Sequence, residues 1–91
     1  MKILIKYCPI WEGYDTKALE VSKEIKDNLK NVEVETIEGA ESEFSVIYEA
    51  DPPALLFSKQ NRYDRLPTSN EIINILISKY KCENRKIERK L

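Results

Sequence analysis

The chain has 91 residues, 42% hydrophobic and 34% charged, with a net charge of −1. That suits one small domain with a core and excludes a disordered tail, a collagen-like repeat or a multidomain enzyme. Histidine is absent and cysteines number two, which excludes Ser-His-Asp and Cys-His catalysis and the usual zinc sites.

Lys2 to Tyr7 is an almost continuous apolar run. It predicts a central strand buried on both faces. Cys8-Pro9-Ile10-Trp11-Glu12-Gly13-Tyr14 follows as a loop, where Pro9 ends strand pairing and Gly13 permits a tight bend. A helix of about four turns comes next, with Asp15 or Thr16 as its expected cap and Ala18, Val21, Ile25 and Leu29 as its apolar stripe. Val32 to Thr36 alternates with period two and reads as an edge strand.

A turn at Glu38–Glu41 leads to a third strand carrying Phe44, Val46 and Tyr48 on one face. Asp51-Pro52-Pro53 is a reverse-turn signal, and Ala54–Ser58 returns as the fourth strand of an antiparallel hairpin. After a polar loop from Lys59 to Arg65, Thr68-Ser69-Asn70-Glu71 is a capping box. Its helix buries Ile72, Ile73, Leu76 and Tyr80. Residues 79–91 hold six basic residues against two acidic ones, a local charge of +4 that leaves −5 on the remainder. The reading is one domain over 1–81 with a basic tail or helix extension over 82–91. Nucleic acid is the least favoured partner of that tail.

The order β-α-β-β-β-α wants a parallel first pair with a right-handed crossover, extended by the hairpin. A four-stranded mixed sheet in the order 2-1-3-4, with two helices, keeps every connection short. That is an α/β fold of minimal thioredoxin-like type. A split β-α-β fold of ferredoxin type would need a last strand in 82–91, where the residues form a poor strand. No export signal or membrane span is evident, so the expected setting is cytoplasmic, with reduced thiols.

Ile5-Lys6-Tyr7-Cys8, then Gly13-Tyr14 and a charged amphipathic helix, resembles the opening of the selenoprotein W-like (Rdx) family. Downstream, Glu38-Gly39, Phe44-Ser45-Val46, Leu56-Phe57-Ser58-Lys59, Leu66-Pro67 and Glu71-Ile72 follow in the family's order. The resemblance implies a thioredoxin-like fold and thiol redox activity linked to glutathione or thioredoxin. The chain departs from the family at the redox motif. Counting Cys-x-x from Cys8 reaches Trp11, and the second cysteine or selenocysteine is missing.

Cys8 is therefore the candidate reactive thiol, read either as a working nucleophile or as the remnant of a lost pair. Trp11 and Tyr14 are candidates for an aromatic contact surface beside it. Ser58 and Lys59 are candidates for binding an anionic group such as a glutathione carboxylate, and Arg62 and Arg65 for anion or peptide recognition, against the plainer reading of a strand end and a polar loop. The expected partner is a protein or glutathione thiol, and no metal site is expected. Cys82 is expected at the far end of the last helix, out of disulfide reach of Cys8.

Overall fold

Ile3 and Ile5 alternate along β1 (Lys2–Tyr7), and both are fully buried. The computed structural model describes residues 1–59 and 65–83. In chain order, β1 is followed by α1 (Tyr14–Asn28), β2 (Glu33–Glu38), β3 (Phe44–Tyr48), β4 (Ala54–Ser58) and α2 (Ser69–Tyr80). The sheet order is β2-β1-β3-β4, with β1 parallel to β2 and antiparallel to β3, and β3 antiparallel to β4. This is the minimal thioredoxin-like arrangement, a four-stranded mixed sheet with two helices.

Register places Ile3, Ile5, Phe44, Val46 and Phe57 on one face of the sheet. The buried residues of α1 (Ala18, Val21, Ile25) and α2 (Ile72, Ile73, Leu76) complete the same core. Full burial of each large member is worth roughly 1.5–3 kcal/mol. The expectation that β1 is buried on both faces fails. The two helices pack against each other as well as on the sheet, so one face receives both. Leu4 and Lys6, on the opposite face, are only half-buried. Their row runs through Ile47 to Leu55, and Lys2 pairs there with Glu35 at 3.2 Å.

The start of α1 also differs from expectation. Its N-cap is Gly13, at φ 87°, with no side-chain cap, and Asp15 lies within the first turn. Tyr14 is buried with its ring edge-on to Phe44 at 6.1 Å, and this packing draws the helix start back to residue 14. Only glycine enters the left-handed region of Gly13 without steric cost. Asp15 instead accepts the Thr16 N–H at 2.8 Å. β2 starts later and runs further than its alternation suggests, because pairing with β1 continues to Tyr7 and Glu38.

α2 opens as expected. Thr68 Oγ1 accepts the Glu71 N–H at 3.3 Å while Glu71 Oε1 accepts the Thr68 N–H at 2.7 Å. It ends at Tyr80, where Lys81 turns left-handed at φ 60° and donates its N–H to Ile77 O. Cys82 and Glu83 then fold back, with the Lys30 N–H donating to Glu83 O at 2.9 Å. The rest of the basic tail, 84–91, lies outside the described residues. Among the described residues no helix is long and apolar enough to cross a membrane.

Candidate active site around Cys8

β1 ends at Tyr7, and the next residue leaves the sheet. The Tyr7 carbonyl accepts the Gly39 N–H, and the Cys8 N–H donates to Glu43 O, each at 2.8 Å. Pro9 has no N–H to carry the ladder onward, so the chain turns there. The Cys8 side chain is left fully buried within the core cluster, with its thiol free.

Two stretches of backbone surround the sulfur: the loop of residues 9–13 and the turn of residues 39–43. Burial by itself pushes the Cys8 thiol up. The backbone amides of Ser42, Ile10 and Trp11 outweigh it and hold the thiol below its ordinary value, against repulsion from Glu41. Hydrogen bonds to the charged form favour that form, which is why a buried sulfur becomes more acidic here. The three donors belong to loop and turn. None comes from the amino end of α1.

The loop that follows Cys8 carries an aromatic pair. The Trp11 ring is 5.8 Å from Tyr14, and Lys59 Nζ sits 5.6 Å from the Trp11 centroid. The Lys59 N–H donates to Phe44 O at 3.0 Å, which fixes the end of the hairpin next to the loop. Ile10 is 81% exposed and Trp11 46%, so the loop presents apolar surface to solvent next to the buried Cys8.

Of the candidates read from sequence, the fold brings Cys8, Trp11, Tyr14 and Lys59 together. Ser58 is buried and stands opposite Ser45 in the β3–β4 register. Arg65 serves the start of α2, donating to both Glu71 carboxylate oxygens at 2.7 and 3.0 Å. Those hydrogen bonds hold the Glu71 carboxyl below its ordinary value, against the opposing effect of burial. Arg62 lies outside the described residues. Among the described residues no group of three or more His, Cys, Asp or Glu is placed to hold a metal ion.

Ser42 and Glu43 escaped the sequence reading. Ser42 adopts φ 63°, a left-handed conformation that serine signals only weakly. Glu43 reads as one of several solvated glutamates, and its backbone contact with Cys8 depends on a pairing 35 positions apart in sequence.

Residues 2–78 match the model of the Rdx family. No curated protein and no solved structure matches the chain.

Proposed function

The chain belongs to the Rdx family, and from that premise we propose that it is a small thiol-redox protein working through Cys8 alone. It is supported by the place of Cys8, buried directly after β1, and by the lowering of its thiol, whose charged form the Ser42, Ile10 and Trp11 amides favour. The thiolate is the nucleophile in thiol–disulfide exchange, and those donors favour it.

In the proposed cycle the Cys8 thiolate attacks one sulfur of oxidised glutathione or of a protein disulfide. A Cys8–sulfur bond forms as the substrate's disulfide breaks, and the leaving thiolate takes a proton from water. An external thiol then attacks the mixed disulfide and releases Cys8. With no second cysteine at the Cys-x-x position, resolution comes from outside the chain. Because the sulfur is buried, neighbouring side chains move aside before attack while the backbone amides that favour the thiolate stay in place. Trp11, Tyr14 and Lys59 are the proposed contacts for the incoming thiol partner, with the ammonium of Lys59 suited to a carboxylate.

The test is ultraviolet titration of the thiolate in the wild type against Cys8→Ser, together with mass detection of a glutathione adduct. A Cys8 midpoint below the ordinary ~8.5 and an adduct lost in Cys8→Ser are expected. A midpoint at or above that value, with no adduct, would sink the proposal.

A second reading is a redox-inactive module that holds a protein partner on the loop of residues 8–14. The exposure of Ile10 and Trp11 next to a buried thiol favours it. It predicts that Trp11→Ala abolishes partner capture and Cys8→Ser does not. The reverse pattern excludes it.

A further inference from the structure

Glu43 makes four contacts that tie the 40–43 turn together and fasten it to Cys8. Its backbone carbonyl accepts the Cys8 N–H at 2.8 Å. Its carboxylate spans the turn, with Oε1 accepting the Ala40 N–H at 2.8 Å and Oε2 accepting the Ser45 hydroxyl at 3.0 Å. The Glu43 N–H in turn donates to Ala40 O at 3.1 Å. Both ends of the 40–43 turn are thus tied through one residue.

Between those ends sits Ser42 at φ 63°. A non-glycine residue persists in that region only where its surroundings over-determine it. The turn that holds it is fastened to Cys8 itself by the Cys8 N–H to Glu43 O bond at 2.8 Å, and the Ser42 amide is among the groups that favour the Cys8 thiolate. Gly39 completes the device. A methyl group at that position would run into Glu43 Oε1 and come within 3.2 Å of Lys6 Cβ, so the absent side chain leaves room for the carboxylate to reach across.

We propose that Glu43 is a positioning residue of the Cys8 site, its carboxylate clamping the 40–43 turn so that the Ser42 amide is delivered to the sulfur. The proposal rests on the reading of Cys8 as the working thiol. Its sign distinguishes it from simple electrostatics. Removing a nearby negative charge should make a thiol more acidic, because like charges disfavour the thiolate. Removing a clamp that presents an amide should make it less acidic.

The experiment is the thiolate titration of Cys8, each variant referenced to the same variant carrying Cys8→Ser so that Cys82 cancels. Glu43→Ala is expected to raise the midpoint by about one unit, the order of effect for losing one of several hydrogen bonds to an ion. Glu43→Gln, which keeps an acceptor for the Ala40 N–H, is expected to stay near the wild type. Gly39→Ala, which leaves every charge in place and displaces the carboxylate, is expected to shift upward like Glu43→Ala. Should Glu43→Ala fail to fold, Gly39→Ala against Glu43→Gln decides. A depressed wild-type midpoint that stays put or falls in both Glu43→Ala and Gly39→Ala overturns the clamp and leaves the redox reading standing. A wild-type midpoint at the ordinary value overturns both.

Discussion

The two cysteines mark opposite poles of the sheet, and their surroundings differ in kind. Cys8 follows the last residue of β1, fully buried, with backbone amides directed at its sulfur. Cys82 lies beyond α2 beside the start of β1, half-buried, its thiol donating to Met1 Sδ at 3.3 Å. Burial pushes the Cys82 thiol up, and only the N-terminal ammonium opposes it. An open cleft of about 260 Å³, lined in part by Met1, Val32, Tyr80 and Cys82, lies at this second pole. Cys8 is thus held below the ordinary thiol value and Cys82 above it. The difference lies in the hydrogen-bond donors that favour the charged form of Cys8, which Cys82 lacks among its influences.

The comparison can be broken most forcefully at the packing beneath each pole. Phe44 is fully buried and meets Tyr14 edge-on, so Phe44→Ala is expected to cost about 3–5 kcal/mol in urea unfolding. Tyr80, half-buried and 4.9 Å from Tyr48, should cost less on truncation, about 1–2 kcal/mol. Equal losses would mean that the poles are equally well packed.

Access can be separated from acidity at Trp11. Trp11→Ala removes the ring held by Tyr14 and Lys59 and keeps the backbone amide. Alkylation of Cys8 is expected to speed up roughly tenfold, the order set by an aromatic pair plus a cation–π contact. The Cys8 thiolate midpoint and the alkylation of Cys82 should not move. An altered midpoint would show that the ring, and not the amide alone, sets the acidity.

Helix starts offer a smaller contrast. α2 carries a reciprocal cap and α1 has none from a side chain. Thr68→Ala should lower stability by about 1 kcal/mol, measured by chemical denaturation. Asp15→Ala, which removes no cap, should cost less.

The most delicate test is pH. A lowered thiol pKa in the folded state stabilises the fold fully above the unfolded value, and that contribution is lost as pH falls through the folded value. Relative to Cys8→Ser, the wild type should therefore gain stability as pH rises toward ~8.5. A raised pKa has the opposite effect. Relative to Cys82→Ser, the wild type should lose stability as pH rises past ~8.5, since the unfolded thiol ionises first. Two slopes of the same sign, read from unfolding midpoints across this range, would contradict the distinction between the poles.

Much of the frame could be read along the chain. The β3–β4 hairpin announced itself through Asp51-Pro52-Pro53 and alternating apolar residues, and Thr68 with Glu71 marked the start of α2. These signals are local, carried by turn chemistry, periodicity and capping within a few residues. Where they failed, the competing influence was tertiary. Burial of Tyr14 moved the start of α1, and packing of both helices on one face left Leu4 and Lys6 half-exposed.

The amino-acid sequence by itself determined the order of elements, the family pattern, and the fact that no second cysteine stands at the Cys-x-x position. Only the tertiary structure decided what kind of thiol Cys8 is. The Ser42 amide and the Glu43 carbonyl reach it from a turn more than thirty residues away. Backbone donors have no side-chain signature, since every non-proline residue carries the same N–H. Their effect on a sulfur depends on where the fold points them.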